Sequence, residues 1–431
     1  MKHPVTLSHE FSGVLDQLEY TADHLFITGR AGTGKSTLLQ VFRSTTKKRV
    51  AVLAPTGIAA LNVRGQTIHS FFGFPPRLLN KTEIEKRPNN RVYKNLDMII
   101  IDEISMVRAD LLDNMDLFLQ KNRNDRRPFG GVQMVYFGDL FQLPPVVSTP
   151  FEKNYFSTVY PTPYFFSAFV LHKTPLQMVE LTQVYRQEEK NFISLLDNIR
   201  KATLELEDFE LLNSRHIPPP ERDDYYITLS SRNDIANRIN QAELDSIMSP
   251  AVEFKASIKG EFNPHVFPTD LNLPLKEGAQ VMFVRNDLQK QYVNGTIGIV
   301  SELNPDRVIV KIEGDNDETK FVQVEPQDWE IIRYEADREN PGQVSTRVIG
   351  TFTQLPLKLA WAITIHKSQG KTFDKVIIDM GGGAFESGQT YVALSRCRTL
   401  DGIVLRQPLR NRDIFVDERI CEYYQQIKYF S

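Results

Sequence analysis

The chain has 431 residues, which is too long for one ordinary hydrophobic core and predicts two or three domains. Its composition, 41% hydrophobic and 24% charged with two cysteines, excludes a wholly disordered chain, a disulfide framework and a cysteine-rich zinc site. No apolar run is long enough for a membrane helix, the N-terminus lacks a signal or transit pattern, and a net charge of −3 leaves nucleic-acid binding open. We therefore expect a soluble intracellular protein.

Short apolar runs alternate with helical patterns in the first part of the chain. A helix is predicted from Ser36, directly after the first run. Strands that alternate with helices indicate a parallel sheet covered on both faces. The predicted strands are His24–Thr28, Arg49–Leu53, Met98–Ile101 and Gln133–Phe137.

A second α/β unit follows the helical pattern at Asn191–Arg200 and the Pro-rich stretch Ile217–Pro220. Its first strand is predicted at Tyr226–Leu229, with a helix after Arg232. The α/β pattern resumes beyond about residue 350, with strands predicted at Thr351–Leu355, Ala360–Ile363 and Val376–Ile378.

Between about residues 250 and 350 the strand patterns lie close together, and no long helix fits among them. Asn294-Gly295 is a strong hairpin signal, and Gly314–Asn316 marks another turn. This stretch is predicted to be a small all-β module inserted into the second α/β unit. Its strands are Gln280–Val284, Thr296–Val300, Arg307–Ile312 and Lys320–Val324.

A glycine-rich loop between the first strand and the first helix has the spacing G-x-x-x-x-G-K-S. Its backbone N–H groups and the helix N-terminus are suited to binding the phosphates of ATP. Lys35 is expected to contact the transferred phosphoryl group, and the hydroxyl of Ser36 to ligate Mg²⁺. The predicted nucleotide-binding residues are Gly29, Arg30, Ala31, Gly32, Thr33, Gly34, Lys35, Ser36, Thr37 and, from the second unit, Gly370.

Further candidate catalytic residues follow later strands. Asp102 and Glu103 end the apolar run Ile99–Ile101, so Asp102 is expected to hold Mg²⁺ and Glu103 to act as general base. Gln142, in the block GDLFQLPP, is expected to sense the γ-phosphate. Arg186 and Arg396 are candidates for stabilising the charge that develops on that phosphate.

Two segments mix hydroxyls, histidines and turns at strand ends, which suits phosphate contacts and base stacking. The aromatic and histidine members are also common core residues. The candidate nucleic-acid-binding residues are Pro55, Thr56, Gly57, Thr67, His69 and Phe72 in the first unit, Pro144 beside Gln142, and Thr364, His366, Lys367 and Gln369 in the second.

Together these residues resemble a superfamily 1 DNA helicase of the Pif (petite-integration-frequency) type, related to the RecD group. Arg108–Gly131 resembles the signature segment of the Pif branch, and Asn294–Val300 resembles part of the family's β-module. The resemblance covers nearly the whole chain and follows the family's order in the blocks GRAGTGKST, APTGIAALNVRGQTIHSFF, IIIDEISMV, PFGGVQMVYFGDLFQLPPV, LTQVYRQ, WAITIHKSQGKTFDKV and YVALSRCRTLDGI.

The resemblance implies a P-loop NTPase of two RecA-like domains, with ATP between them and single-stranded DNA across them. The first domain is expected at residues 1–188, with a wedge insertion at roughly 70–95. The second is expected at 189–250 and 352–431, with the SH3-like β-module at 251–351 between its parts.

The implied activity is ATP-dependent 5′→3′ unwinding of duplex and forked DNA, RNA–DNA hybrids and G-quadruplexes, in replication, repair, recombination or telomere maintenance. The expected cofactors are ATP and Mg²⁺, and the expected partners are single-stranded DNA and its junctions with duplex DNA. The protein is expected to act as a monomer and to have no membrane partner. Phe11 stands where the family usually has an adenine-reading glutamine, which leaves adenine selectivity open.

The chain resembles a bare helicase core. We expect a bacterial, nucleoid-associated cytoplasmic protein, or a nuclear or mitochondrial one if the sequence is a trimmed eukaryotic core. The residues leave two other functions open: a nucleotide-dependent protein switch, and a translocase or RNA remodeller that does not open duplexes. DNA-stimulated ATP hydrolysis separates the helicase from the switch, and strand separation separates it from the translocase.

Overall fold

The structure is a computed structural model that describes residues 8–218, 225–287, 289, 291–305, 307–313, 318–337, 340 and 342–430. It divides into two compact units. Unit 1 comprises Met1–Tyr185, Ile331–Ile349 and Asp417–Ser431, and unit 2 comprises Arg186–Glu330 and Gly350–Val416. No helix within the described part of the chain combines the length and the apolar composition needed to cross a membrane.

The secondary structure alternates between helices and strands, except in a strand-rich stretch after residue 250. The α-helices are α1 (His9–Tyr20), α2 (Lys35–Thr45), α3 (Gly57–Asn62), α4 (Ile68–Phe72), α5 (Arg91–Asn95), α6 (Ala109–Arg123), α7 (Pro150–Val159), α8 (Lys190–Lys201), α9 (Leu206–Asn213), α10 (Asn233–Ser246), α11 (Gln389–Leu394) and α12 (Glu418–Phe430). The strands are β1 (His24–Gly29), β2 (Val50–Ala54), β3 (Gln66–Thr67), β4 (Met98–Ile101), β5 (Gln133–Phe137), β6 (Leu176–Leu181), β7 (Ile227–Ser230), β8 (Val252–Lys255), β9 (Ser257–Gly260), β10 (Asn272–Leu275), β11 (Gln280–Phe283), β12 (Ile297–Asn304), β13 (Arg307–Glu313), β14 (Thr319–Val324), β15 (Gln327–Ala336), β16 (Val344–Gln354), β17 (Leu357–Leu359), β18 (Ala362–Thr364), β19 (Val376–Asp379) and β20 (Ile403–Leu405).

Unit 1 is built on a six-stranded parallel sheet in the order β3-β2-β4-β5-β1-β6. All residues of β4 and β5 are buried, because helices and loops cover both faces of a parallel sheet. The apolar faces of α1 and α2 join the sheet in one core, which includes Phe11, Leu38, Phe42, Val52 and Ile100. The α/β fold with a parallel sheet, predicted from the alternating pattern, is confirmed.

The C-terminal helix α12 is part of unit 1, whereas the sequence placed it in the second domain. The hydroxyl of Tyr424 lies 2.7 Å from Oγ1 of Thr28 in β1. The ring of Tyr423 stacks on Phe166, with 4.2 Å between the ring centroids. The predicted division is wrong here because an amphipathic pattern shows which face of a helix is apolar but not which core it joins.

Residues 331–349, predicted to lie in the inserted β-module, also belong to unit 1. Tyr334 is the main contact of this segment: its hydroxyl accepts a hydrogen bond from the N–H of Val52 (3.0 Å). Its own N–H donates to Oε1 of Gln66 (3.3 Å). These bonds attach the segment to β2 and β3, so continuity in sequence gave the wrong boundary for the module.

Unit 2 contains a four-stranded parallel sheet in the order β18-β7-β19-β20. Helix α10 is fixed to it by the side chain of Asn240, which exchanges two hydrogen bonds of 2.8 Å with the backbone N–H and C=O of Ala362. The predicted strand at Tyr226–Leu229 is β7, and the predicted helix after Arg232 is α10. The Pro-rich stretch Ile217–Pro220 lies partly outside the described residues.

The strand-rich stretch of unit 2 forms a five-stranded antiparallel sheet in the order β14-β13-β12-β11-β17. Asn294-Gly295 forms a turn, but it lies at the end of a longer connection, residues 284–296, and not in a two-residue hairpin. The predicted turn at Gly314–Asn316 lies outside the described residues, whereas the strands before and after it, β13 and β14, are described. The module has its own apolar core, formed by Leu273, Leu275, Val281, Phe283, Val300, Val308, Val310, Ile312, Val322, Val324 and Leu357 among others.

Candidate active site and nucleic-acid interface

The glycine-rich loop connects β1 to α2 in unit 1, as predicted. Gly32 and Gly34 adopt φ of +83° and +82°, a region that side chains with a Cβ rarely enter. No side chain caps the N-terminus of α2, so its first N–H groups are suited to an anion. The ammonium of Lys35 donates to the carbonyl oxygens of Gly29 (2.7 Å) and Arg30 (2.9 Å), which holds it over the loop.

The acidic pair at the end of β4 lies near this lysine. Burial and the negative charge of Glu103 together raise the pKa of Asp102 to about 7, against an opposing effect of the positive charge of Lys35. Glu103 has φ +51° and ψ +47°, a left-handed conformation that is unusual for a residue with a side chain. Lys35, Asp102 and Glu103 are thus brought into one electrostatic site.

A close backbone contact positions the turn after Glu103. A Cβ on Gly138, just after β5, would lie 2.9 Å from the side chain of Ile104, so only glycine fits there. Asp139 is buried, and its carboxylate accepts a hydrogen bond from the N–H of Phe141 (3.2 Å). Gln142 is 7% exposed, and its N–H donates to the carbonyl of Asp139 (3.0 Å), which keeps it at this turn after β5.

Two aromatic residues, of which the sequence associated only Phe11 with the nucleotide, lie against the phosphate loop. A Cβ on Gly34 would lie 2.8 Å from the ring of Phe11 and 3.5 Å from that of Tyr185. The N–H of Tyr185 donates to the carbonyl of Gly32 (2.8 Å), and its ring is 51% exposed. Tyr185 directly precedes Arg186 in the LTQVYRQ block, and this position in a motif is the sequence feature that could have indicated its place at the nucleotide site. Phe11 is buried and presents an apolar ring at the position of the family's glutamine.

The two candidate arginines lie together within unit 2. The guanidinium of Arg186 donates to the carbonyl of Ser395 (3.0 Å), and that of Arg396 donates to the hydroxyl of Ser395 and the carbonyl of Val392, both at 2.9 Å. Burial, together with the like charge of Arg396, lowers the pKa of Arg186 to about 9. Two buried cations at close range are suited to a polyanionic ligand.

The candidate nucleic-acid residues of unit 1 lie at the starts of two short helices. Oγ1 of Thr56 caps α3 through the N–H of Ala59 (3.2 Å), and Oγ1 of Thr67 caps α4 through the N–H of Ser70 (3.2 Å). Each hydroxyl accepts in its cap and keeps its proton for another acceptor. Phe72 is buried, and the remaining candidates in this unit are partly exposed: Pro55, Gly57, His69 and Pro144.

The electrostatic environment of His69 favours its neutral form. Burial lowers the pKa of this histidine, and the positive charge of Arg108 lowers it further, against a smaller opposing effect of Asp110.

Phe72 was predicted to stack on bases, and this prediction is wrong. Its ring is fully buried in an aromatic cluster, packed against Phe74 and Phe118 with 5.3 Å between ring centroids in each case. Phe71 and Tyr93 also pack against it. The ring stabilises the core of unit 1, in agreement with the alternative prediction that the aromatic candidates are core residues.

The candidates of unit 2 follow β18. Thr364 and His366 line a cavity of about 760 Å³, and Nε2 of His366 lies 3.0 Å from the carboxylate of Glu386. Lys367 is exposed, and Nε2 of Gln369 is buried without a hydrogen-bond partner. Gly370 has φ +74°, which lets the chain turn after Gln369.

No group of three or more histidine, cysteine or acidic side chains within the described ranges could hold a metal ion by itself. The oxygen ligands available at the nucleotide site are the hydroxyl of Ser36, which is exposed at the start of α2, and the carboxylate of Asp102. Such a pair holds Mg²⁺ only together with phosphate oxygens and water.

The sequence and the fold match known proteins. A family model described as "PIF1-like helicase" matches residues 6–210. The chain is 32% identical over 438 residues to "ATP-dependent DNA helicase Pif1" of Bdellovibrio bacteriovorus, covering 99% of this chain and 93% of that protein. It spans 63–64% of the length of several vertebrate relatives.

Solved structures agree with the sequence matches. The structure of Bacteroides sp Pif1 in complex with ADP-AlF4 superimposes with a TM-score of 0.90 at 36% identity, covering 99% of this chain and 98% of that one. Bacteroides Pif1 in complex with ADP-AlF3 and single-stranded DNA gives a TM-score of 0.70 at 37% identity, covering 98% and 97%.

Proposed function

The chain belongs to the PIF1-like helicase family, and we propose from that premise how its residues carry out the activity of an ATP-dependent DNA helicase. Relatives named as ATP-dependent DNA helicases match it over nearly its whole length. The observation that carries the proposal is the meeting of Lys35, Asp102 and Glu103 at one end of the sheet of unit 1.

The glycine-rich loop binds the phosphates of ATP. Its backbone and the N-terminus of α2 supply N–H donors, and Lys35 turns from the loop carbonyls to the γ-phosphate when nucleotide is present. Tyr185 offers an exposed ring beside Gly34, and Phe11 offers no hydrogen bond there, so the purine is held by apolar contact. We expect little selectivity for adenine.

The oxygen atoms of Ser36 and Asp102 fit Mg²⁺, a hard cation that takes one or two protein ligands beside phosphate oxygens. The raised pKa of Asp102 reflects its burial first and the negative charge of Glu103 second, and a bound divalent cation would oppose both effects. When bound, the ion would neutralise charge that develops on the phosphates.

Glu103 acts as the general base toward the attacking water, and Gln142 reports the γ-phosphate. Arg186 and Arg396 stabilise the transition state. Their buried cationic pair supports this role, because a negatively charged phosphoryl group would relieve their mutual repulsion.

Single-stranded DNA is bound by the hydroxyls and rings at the strand ends of both units, and junctions with duplex DNA are opened there. Relatives solved with single-stranded DNA and with forked duplex DNA support these partners. By resemblance we propose 5′→3′ movement, action on RNA–DNA hybrids and G-quadruplexes, a monomeric motor, and residues 70–95 as the wedge. The protein would act in the cellular compartment that contains the chromosomal DNA.

ATP hydrolysis with and without single-stranded DNA, followed by unwinding of duplexes with a 5′ or a 3′ tail, tests this function. We expect strong stimulation and opening of the 5′-tailed duplex alone. Lys35→Ala is the matched negative control and should lose hydrolysis in both assays. ATP hydrolysis at the same rate with and without DNA would favour a protein switch. Stimulation by DNA without strand separation would favour a translocase. Opening of the 3′-tailed duplex alone would contradict the proposed polarity.

A further inference from the structure

The turn that carries the DNA-binding candidate Thr67 is attached to the sheet of unit 1 by a very short strand. Strand β3 consists of Gln66 and Thr67, and it pairs with β2 through these two residues. It is also the outermost strand in the order of its sheet. Because two residue pairs hold a strand only weakly, contacts from outside the sheet must fix the position of this turn.

Tyr334, on β15, contacts both β2 and β3 at this edge of the sheet. Its hydroxyl accepts a hydrogen bond from the N–H of Val52 (3.0 Å), and its own N–H donates to Oε1 of Gln66 (3.3 Å). Its ring meets that of Phe71 in α4 edge to face, with 5.9 Å between the ring centroids. Tyr334 and Gln66 are buried, so water does not compete for these bonds. One side chain thus joins β2, β3 and α4.

The side chain of Gln66 extends this contact to the hydroxyl of Thr67. Its Oε1 accepts from Tyr334, and its Nε2 donates to Oγ of Ser70 (2.9 Å). The N–H of Ser70 in turn donates to Oγ1 of Thr67 (3.2 Å). Since Oγ1 accepts this bond, its own proton remains available to an acceptor elsewhere. A displacement of Tyr334 would therefore change the position and the direction of that hydroxyl.

The groups that form this link are uncharged. Burial raises the pKa of Tyr334 above its ordinary value, so its hydroxyl keeps its proton at neutral pH. The other members are an amide, two hydroxyls and backbone N–H groups. The link therefore adds no attraction for phosphates, and it can affect DNA binding only through the position of the turn.

We propose that Tyr334 is a positioning residue for the binding of single-stranded DNA by unit 1, because it holds β3 and the hydroxyl of Thr67 in place before the strand arrives. The inference rests on the proposed helicase function. It gives a role in DNA binding to the segment Ile331–Ile349, which lies outside every sequence block that resembles the family. A contact that is already in place loses little conformational entropy when the ligand binds.

The first test measures the concentration of oligothymidylate that half-saturates ATP hydrolysis by Tyr334→Phe. This variant keeps the ring but removes the acceptor for the N–H of Val52. We expect that concentration to rise roughly 2- to 12-fold, the effect of one hydrogen bond. The rate without DNA, the rate at saturating DNA and the KM for ATP should stay the same, because the nucleotide site lies on other strands.

Tyr160→Phe is the matched control. It also removes a hydrogen bond made by a buried tyrosine hydroxyl of unit 1, in this case to Oδ2 of Asp113 (2.9 Å). It should therefore lower stability in the same way and leave the half-saturating concentration of oligothymidylate unchanged. A general loss of stability thus cannot imitate the expected result for Tyr334→Phe.

A double-mutant cycle tests whether the link acts through Thr67. Gln66→Leu breaks the link, and Thr67→Val removes the hydroxyl at its end. Gln66→Leu should raise the half-saturating concentration on its own but have a much smaller effect when combined with Thr67→Val, since both changes then act on one contact.

Additive effects in this cycle would overturn the inference and leave the helicase function standing. An equal rise for both tyrosine variants, or no rise for Tyr334→Phe, would do the same. If DNA does not stimulate ATP hydrolysis by the unchanged protein, the proposed function and this inference fail together.

Discussion

Glu103 adopts a left-handed backbone conformation that costs about 1–3 kcal/mol for a residue with a side chain, and such strain concentrates at functional sites. We predict that Glu103→Gln keeps ATP binding but slows hydrolysis by roughly 10²–10⁴, since the amide cannot accept the proton of water. Steady-state hydrolysis and binding of a fluorescent ATP analogue measure the two effects. Glu325→Gln, an exposed carboxylate in unit 2, serves as the control. Near-normal turnover by Glu103→Gln would show that Glu103 is not the general base.

The charge states of two DNA-binding candidates lead to a prediction about salt. The pKa of His69 is lowered by burial, which favours the neutral ring, so a contact between His69 and DNA would release no counterion. Lys367 is an exposed ammonium. Lys367→Ala should therefore reduce the slope of log affinity against log salt by about 0.7, the value for one phosphate contact on single strands.

His69→Ala should weaken binding without changing that slope. Affinities for oligothymidylate over a salt series measure both variants, and each is the control for the other. A reduced slope for His69→Ala would mean that DNA protonates the histidine.

The candidate nucleotide site could be predicted most directly where its residues are contiguous in sequence. The glycine-rich loop and the pair Asp102–Glu103 carry their chemistry and their strand context in a few letters. Tyr185 could not be assigned to the loop, because its contact with Gly34 joins segments that only the folded sheet brings together. Phe72 was misassigned for a similar reason: Phe118 and Tyr93, which help to exclude its ring from solvent, are distant from it in sequence.

At the scale of elements, α12 supports the strand that leads into the glycine-rich loop. Tyr424→Phe keeps the ring but leaves the buried hydroxyl of Thr28 without its partner. We predict a loss of about 1–3 kcal/mol in the free energy of unfolding, measured by urea denaturation. Tyr20→Phe removes a hydroxyl from a ring that is 81% exposed and should have little effect. Equal stabilities of the two variants would show that this hydrogen bond contributes nothing.

A second prediction concerns the loop after β18 and the β-module within unit 2. The ammonium of Lys371 donates to Oδ1 of Asn294 (2.8 Å), and a Cβ on Gly295 would lie 3.0 Å from the carbonyl of Thr372. Burial, together with the like charge of Lys358, lowers the pKa of Lys371 to about 8. The folded state thus holds this proton more weakly than the unfolded state.

Unfolding therefore takes up a proton between about pH 8 and the ordinary lysine value of 10.5, and Lys371 makes stability rise with pH across that window. In Lys371→Met this contribution is absent. The stability of the variant relative to the unchanged protein should be most favourable at pH 7 and decline toward pH 10. Urea denaturation at both pH values measures the difference, and a difference independent of pH would contradict the lowered pKa.

The whole molecule has two units that are both discontinuous in sequence. The two α/β patterns and the β-rich insertion were predictable, because each has its own periodicity. The assignment of residues 331–349 and 417–431 to unit 1 was not, since it depends on contacts such as that of Tyr334 with β2. Periodicity describes an element and its apolar face, but the partner of that face is a property of the folded chain.

Ending the chain at Val416 tests this division. Unit 1 would lose α12 and expose the rings that Tyr423 and Tyr424 cover, so β1 should lose protection against hydrogen exchange. The strands β7 and β19 of unit 2 keep all their sheet partners and should stay protected. Unchanged protection in β1 would mean that unit 1 is complete without its last segment.

The discontinuity of unit 1 also has a consequence for how the protein is made. Its first segment leaves the ribosome early, but Asp417 and the helix after it emerge only after all of unit 2. At about 5–20 residues per second, the interval between Tyr185 and Asp417 lasts on the order of 10–50 s. During that time β1 and β6 carry an uncovered apolar surface on the nascent chain. Newly synthesised unit 1 is therefore expected to need chaperones during this interval, and it gains its mature core only after α12 has emerged.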